Sequence, residues 1–148
     1  MKKITGGVFV PVCSPCDENG RFLETQFLQA AEACMQEELV EGVYVCGGTG
    51  EGTKMRLSER KAACEIAVDV ARRYQKIVLT QIGAYTMRDA LELAAHAAKA
   101  GADGISTIAL PGEGHRAQMQ YYQAVVDAAG LQTILYYMPS AACPFSLS

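Results

Sequence analysis

The chain has 148 residues, half of them hydrophobic, and a formal net charge of −3. This length is enough for one domain with a large apolar core, but it is short of the roughly 250 residues of a complete eight-stranded α/β barrel. The 13 basic residues are scattered along the sequence, which argues against a nucleic acid or an anionic membrane surface as a partner. No apolar run approaches the ~18 residues of a membrane-spanning helix, and the first residues lack the features of a secretory signal.

Apolar strands and amphipathic helices alternate along the chain without an intervening linker. Near-continuous apolar or β-branched runs predict five strands, at residues 7–12, 42–46, 77–82, 104–109 and 133–137. Apolar residues spaced three and four apart predict four helices, at residues 24–39, 58–74, 86–100 and 116–129. Ser58 and Thr86 are placed to cap the second and third helices, and Gly101 and Gly130 are placed to end the third and fourth.

This strict alternation favours a parallel sheet covered by helices. Two architectures satisfy it. One is an open, doubly wound parallel α/β sheet of about this size, and the other is the first part of a (β/α) barrel. Periodicity alone does not distinguish them.

The second predicted strand ends in a glycine-rich segment, Gly-Gly-Thr-Gly-Glu-Gly at residues 47–52. Glycine permits positive φ and a close approach of the backbone to a ligand. Successive backbone N–H groups in such a turn can point at one carboxylate or phosphate, and ligands of α/β folds bind where strands end. The segment therefore predicts an anion site at Gly47, Gly48, Thr49 and Gly50. Its spacing fits neither the phosphate-loop motif nor the dinucleotide-binding motif.

Six cysteines are present, and their positions suit a reducing compartment. Cys34 and Cys64 fall on apolar helix faces and Cys46 ends a strand, so we expect buried thiols there. Cys13 and Cys16 form a C-x-x-C pair, but the pair lies in turn-rich sequence, and no second pair completes a zinc site. We expect a cytoplasmic protein with no bound metal.

Five segments occur in a characteristic order: GVFVPV with PCDENG at residues 7–20, EGVYVCGGTGE at 41–51, LSERK at 57–61, AKAGADG at 98–104 and ILYYMPS at 134–140. Together they resemble the dihydrodipicolinate synthase / N-acetylneuraminate lyase family over nearly the whole chain. The resemblance implies a class I aldolase-type (β/α)8 TIM barrel. Residues 1–148 would form a single partial domain of that barrel, with about five strands and four helices and without the later strands.

Members of that family condense or cleave 2-oxo acids, usually pyruvate, through a Schiff base on a lysine. The resemblance implies that Gly47, Gly48, Thr49 and Gly50 bind the substrate carboxylate, and that Tyr136 is the catalytic residue that relays protons. It also implies a lyase or synthase of small 2-oxo acids that needs no separate cofactor and assembles as a homo-oligomer. The alternative is a catalytically inactive barrel fragment that serves as a binding or assembly module.

Three departures from the family pattern bear on activity. Gly48 stands where the synthases have a hydroxyl residue of the proton relay, which argues against dihydrodipicolinate synthase activity itself. The loop at residues 110–115 lacks the family's aromatic residues, and we interpret His115 as a solvated loop histidine. The family's Schiff-base lysine lies on a sixth strand, whereas the lysines here are at positions 2, 3, 54, 61, 76 and 99.

Of these lysines, only Lys54 is expected in a loop on the correct face of the sheet. We interpret Glu51 as an acceptor for loop amides and Tyr137 as a packing residue. The chain therefore resembles a barrel cut after its fifth strand, as a truncated gene product or a fragment, with residues 144–148 leading into another helix. In isolation, such a chain is expected to be incomplete, inactive and prone to self-association.

Overall fold

The computed structural model describes residues 3–110 and 114–138, and there all nine predicted elements are present. A single turn of 3₁₀ helix at Gly52–Lys54 is the one short addition to them in this part of the chain. The strands β1 to β5 are Val8–Pro11, Val40–Val45, Ile77–Gln81, Gly104–Ile108 and Gln132–Tyr136. The helices α1 to α4 are Glu24–Gln36, Leu57–Tyr74, Met87–Ala100 and His115–Ala129.

The strand order distinguishes between the two architectures. The strands are all parallel, and each pairs with the next along the chain, in the order β1-β2-β3-β4-β5. A doubly wound sheet instead reverses its direction and places its first strand inside the sheet. The helices contact one another in sequence, α1 with α2, α2 with α3 and α3 with α4, as expected for one layer on one face. The fold is therefore of the barrel type, with five strands of its wall.

The apolar core lies between this wall and the helix layer. Strand side chains that face the helices are almost fully buried, among them Val43, Val45, Val78 and Ile105. They pack with buried helix residues that include Phe27, Met35, Ala67, Ala94 and Val125. Because side chains alternate between the two faces of a strand, the positions in between line the interior face of the wall. These positions include Tyr44, Leu79, Ser106 and Tyr136.

Helix ends follow the predicted signals in most places. Thr86 Oγ1 accepts a hydrogen bond from the Asp89 N–H at 3.1 Å, which confirms the predicted cap of α3. Gly101 and Gly130 end α3 and α4 in the left-handed conformation, as predicted.

Two helix ends differ from the prediction. The first helix ends at Gln36 instead of continuing through Leu39, whose side chain is 87% exposed. Lys76 Nζ donates to the carbonyls of Glu37 and Val40 and so stabilises the extended segment that follows α1. The predicted cap at Ser58 is also wrong, because α2 begins one residue earlier and Glu59 Oε2 accepts from the Arg56 N–H at 2.8 Å.

Candidate functional site

A cleft of about 470 Å³ opens where the strands end, at the rim that parallel barrels use for ligands. Its lining combines the loop after β2 with the ends of the other four strands: Pro11, Tyr44, Cys46, Gly47, Gly48, Thr49, Glu51, Thr53, Lys54, Gln81, Ile108, Tyr136 and Met138. Three of the four predicted carboxylate-binding residues, Gly47, Gly48 and Thr49, therefore share one cleft with Tyr136. The fourth, Gly50, is buried behind them.

The loop after β2 is folded by its own backbone. The Glu51 N–H donates to the Gly48 carbonyl at 3.1 Å, and the Gly52 N–H donates to the Gly47 carbonyl at 3.2 Å. In the part of the chain that the structure describes, the N–H groups of Gly48 and Thr49 make no hydrogen bond to protein. Both residues are exposed at the cleft. Unused donors on adjacent residues are suited to an anionic ligand.

The glycines of this loop serve close packing rather than unusual φ values, contrary to the prediction. The loop residues with positive φ are Cys46 at 57° and Glu51 at 49°, and none of the loop glycines is among them. A Cβ on Gly47 would stand 2.4 Å from the Tyr44 ring, and one on Gly52 would stand 2.0 Å from the Cys46 carbonyl oxygen. A Cβ on Gly48 would meet nothing within 4 Å, so this position has room for a side chain.

Two tyrosines face the cleft from different strands. Tyr136 ends β5 opposite Ile108 of β4, and it is 49% exposed. Tyr44 is half-buried, and its hydroxyl donates to Ser106 Oγ at 3.3 Å. Burial raises the pKa of the Tyr44 phenol, the Ser106 hydrogen bond opposes that rise, and the nearby Tyr136 adds to it. Tyr44 therefore remains a neutral phenol at physiological pH.

Charged groups at the rim of the cleft neutralise each other. Lys54 Nζ lies 2.6 Å from Glu51 Oε1, and this ion pair raises the pKa of the fully exposed lysine. Lys54 thus lacks the desolvated surroundings that would make its amine a nucleophile at neutral pH. Glu51 accepts from Lys54 rather than from the loop amides that we predicted.

The remaining sequence candidates lie away from the cleft or outside the described residues. His115 is exposed as the first residue of α4, and Tyr137 is exposed beyond the end of β5. The loop residues 111–113 and the segment 139–148, with its predicted helix start, lie outside the described residues. Cys46 and Cys64 are buried as predicted, Cys34 is half-buried, and Cys13 and Cys16 are exposed.

No three His, Cys, Asp or Glu side chains within residues 3–110 and 114–138 are grouped so that they could hold a metal ion. In the same ranges, no helix has the length and apolar content needed to cross a bilayer.

Sequence reasoning missed four polar residues at and behind the cleft: Tyr44 and Gln81 line it, and Arg60 and Ser106 lie behind them. Arg60 had a detectable signal, because it lies three and four residues before Ala63 and Cys64 on the buried stripe of α2. A charged residue on such a stripe requires a specific partner. The contact between Tyr44 and Ser106 had no sequence signal, because it joins strands that are not adjacent.

These observations define the chain as part of a (β/α) barrel with a glycine-rich loop and a tyrosine at its carboxyl rim. Its sequence matches the Dihydrodipicolinate synthetase family over residues 4–145. The chain belongs to this family, and the predicted family resemblance is confirmed.

The relatives that the chain resembles in sequence include N-acetylneuraminate lyases. The chain is 33% identical over 143 residues to the N-acetylneuraminate lyase of Mus musculus, and 32% identical over 140 residues to N-acetylneuraminate lyase A of Xenopus laevis. The alignments cover 94% and 93% of this chain but 45% of each relative. The chain therefore spans about half the length of the relatives that it matches.

Solved structures give the same result for the fold. CdNal from Clostridium difficile, in complex with mannosamine, superposes with a TM-score of 0.88 at 25% identity, over 97% of this chain and 50% of that one. YagE, a prophage protein of the dihydrodipicolinic acid synthase family from E. coli K12 in complex with pyruvate, gives 0.85 at 27% identity, over 95% and 47%. These neighbours are TIM barrels, and about half of each corresponds to this chain.

Proposed function

We propose that this chain carries the 2-oxo-acid half of the active site of a Schiff-base lyase or synthase, with pyruvate as the representative ligand. The observation that carries this proposal is that a loop with two unused N–H donors shares one cleft with Tyr136. Membership of a family of lyases and synthases supports the reaction class, and the pyruvate complex of YagE supports the ligand class.

The loop supplies the groups that a carboxylate requires. The N–H groups of Gly48 and Thr49 are donors, and the Thr49 hydroxyl is a further donor on the same residue. Hydrogen bonds to an ionised acceptor are about twice as strong as those between neutral groups. In this proposal, Gly47 and Gly50 shape the loop, because their close contacts with Tyr44 and Val12 hold its backbone in place.

Tyr136 has the chemistry of a proton relay. A phenol both donates and accepts a hydrogen bond, so it can pass a proton without carrying a charge between turnovers. Gly48 supplies no hydroxyl for a relay beside it. We therefore favour a lyase related to the N-acetylneuraminate lyases over dihydrodipicolinate synthase itself, and N-acetylneuraminate is the first substrate to test.

The imine-forming lysine is the part that the cleft does not provide. Lys54 is paired and exposed, Lys61 pairs with Glu92 on the outside of the helix layer, and Lys76 binds carbonyls at the opposite end of the sheet. We propose that the lysine comes from outside residues 1–148. A homo-oligomer and a cytoplasmic location remain predictions.

Calorimetric titration with pyruvate tests the half-site in the 148-residue chain. We expect pyruvate to bind more tightly than pyruvamide, its neutral isostere. Borohydride treatment in the presence of pyruvate should leave the intact mass of the chain unchanged, because no lysine lies where an imine can form. A pyruvate adduct on Lys54, or equal affinity for the two ligands, would contradict the site assignment.

The second candidate function is a binding or assembly module without catalysis. The observation that favours it is the exposed apolar surface at β5, formed by Leu135, Tyr136, Tyr137 and Met138. Release of pyruvate from N-acetylneuraminate, by this chain or by a longer form of the protein, would support the lyase. Pyruvate binding without turnover or adduct in every form would support the module.

A further inference from the structure

Arg60 is a buried cation directly behind the candidate cleft. It lies in the first turns of α2 and is 4% exposed. Its Nη1 donates to the Gly83 carbonyl at 3.0 Å, and its Nη2 donates to the Gln81 carbonyl at 2.7 Å and to Gln81 Oε1 at 2.8 Å. The guanidinium thus fixes the segment that follows β3.

The charge of Arg60 has no anionic partner among the residues that the structure describes. Its three acceptors are neutral, it takes part in no ion pair there, and its Nε has no hydrogen-bond partner. Burial lowers the pKa of Arg60, which reflects the loss of hydration. A buried charge is ordinarily paired, because an uncompensated one is strongly destabilising. The fold therefore maintains a positive charge that only neutral acceptors offset.

This charge lies close enough to act on the cleft. Gln81, which Arg60 holds with two hydrogen bonds, lines the cleft, and so does Cys46, whose thiol approaches the Arg60 carbonyl at 3.9 Å. The charge of Arg60 also opposes the rise in the pKa of Tyr44, which is another residue of the cleft lining. At the rim, Glu51 and Lys54 cancel each other. Interactions of a buried charge are stronger than those of an exposed one, and salt screens them less.

We propose that Arg60 is a positioning residue that makes the cleft selective for anionic ligands, acting as a buried counter-charge behind the loop without touching the ligand. The inference rests on the proposed function, since it assigns the source of carboxylate selectivity at the same site. A bound 2-oxo acid would supply the negative charge that the surroundings of Arg60 lack. Gln81 would hold the guanidinium in position and orient its amide toward the cleft.

The test compares affinities for pyruvate and pyruvamide by calorimetry. The quantity of interest is the ratio of the two dissociation constants, because a merely structural role would change both affinities together. Arg60→Met should reduce the preference for pyruvate by about tenfold, whereas Arg60→Lys should retain most of it. Lys99→Met is the matched control, because Lys99 is an exposed cation in the last turn of α3 and does not line the cleft, and it should change the ratio by less than about twofold.

A measurement on the unaltered chain keeps the inference testable if Arg60→Met does not fold. Preference for pyruvate should persist between 20 mM and 500 mM salt, on the order of a two- to threefold change at most, because buried charges are screened weakly. A preference that disappears at high salt, or one that is unchanged in a folded Arg60→Met variant, would overturn the role of Arg60. Either result would leave the proposed function standing. No preference at all in the unaltered chain would instead overturn the proposed function.

Discussion

The side-chain amide of Gln132 holds the backbone of Ile4 at two points, although the residues are 128 positions apart. It accepts from the Ile4 N–H at 3.0 Å and donates to the Ile4 carbonyl at 2.8 Å. Gln132 begins β5 and pairs with Gly104, over which the Ile4 side chain lies. Ile4 thus covers the amino ends of β4 and β5, at the opposite end of the sheet from the cleft.

Gln132→Leu should lower the free energy of unfolding by about 2 kcal/mol, because it removes two partly buried hydrogen bonds worth ~1 kcal/mol each. Urea unfolding measures this change. Gln123→Leu is the matched control, since the exposed Gln123 side chain bonds to the exposed Asp127 one helical turn away. Its effect should stay within ~0.5 kcal/mol. Equal effects of the two substitutions would show that the Ile4 contact does not stabilise the fold.

The glycines of the loop after β2 should differ sharply in their tolerance of alanine. Gly52→Ala places a Cβ 2.0 Å from a backbone carbonyl that cannot move aside, so we expect a loss of about 1–3 kcal/mol in stability. Gly48→Ala meets no atom within 4 Å and should change stability by less than ~0.5 kcal/mol. Thermal melts of the two variants provide the comparison. A destabilised Gly48→Ala variant would show that this loop packs differently.

The order and type of the elements could be predicted from the sequence because each one depends on local spacing. The parallel, sequential sheet then brings Gly48 and Tyr136 to one rim. The sequence predicted that this loop requires glycines, but it did not predict the reason at each position. A close neighbouring atom and a positive φ both favour glycine, and the sequence does not distinguish the two. Only the fold shows that Gly47 is pressed against Tyr44 while Cys46 takes the left-handed conformation.

The contacts that the sequence did not reveal join residues that are far apart in the chain. Tyr44 and Ser106 belong to strands separated by β3, and their hydrogen bond depends on the curvature of the wall. Arg60 and Gln81 meet because α2 packs over the end of β3. Periodicity places each of these residues on a face, but it does not identify the partner on another element.

Thr49→Val tests the carboxylate assignment directly. The substitution keeps the side-chain volume and removes the hydroxyl, so pyruvate affinity should weaken by about 1–2 kcal/mol, the contribution of one hydrogen bond to a charged group. Calorimetry measures the dissociation constant. Thr53→Val is the matched control, because Thr53 also lines the cleft but lies in the 3₁₀ turn beyond the loop. Unchanged affinity in Thr49→Val would exclude the Thr49 hydroxyl as a donor to the carboxylate, because the backbone N–H of residue 49 is kept in the variant.

Stability should decline at alkaline pH. Burial raises the pKa of the Cys46 thiol to about 11 and that of the Cys64 thiol to about 12, from an ordinary value near 9. Both thiols stay protonated in the folded chain above pH ~9 while the unfolded chain releases their protons, so unfolding becomes more favourable as pH rises. Each thiol contributes up to about 1.4 kcal/mol per pH unit in this window.

Urea unfolding at pH 8, 9 and 10 measures this decline. Cys64→Ala should give a shallower dependence on pH than the unaltered chain, while Cys13→Ala, which removes an exposed thiol, is the matched control. The phenols of the half-buried Tyr44 and the buried Tyr121, whose pKa values are also raised by burial, act in the same direction above pH ~10. A pH-independent stability would show that these thiols are hydrated in solution.

The exposed side of β5 should make the 148-residue chain self-associate. Within the described residues β5 pairs with β4 alone and β1 with β2 alone, so each of these strands has an unpaired edge. Leu135, Tyr136 and Tyr137 are each about half exposed on β5 or just after it. Unpaired edges and exposed apolar surface both favour association. Sedimentation velocity at micromolar concentration should therefore show dimers or larger species.

Leu135→Lys should shift that distribution toward monomer, because a charged residue on an edge strand opposes pairing with a second copy. Met87→Lys is the matched control, since Met87 is an exposed apolar residue on α3, which has a neighbouring helix on each side. If both variants behave alike, the association does not involve β5. A monomer with a cooperative thermal transition in the unaltered chain would contradict the prediction, because the chain would then have to satisfy both strand edges by itself.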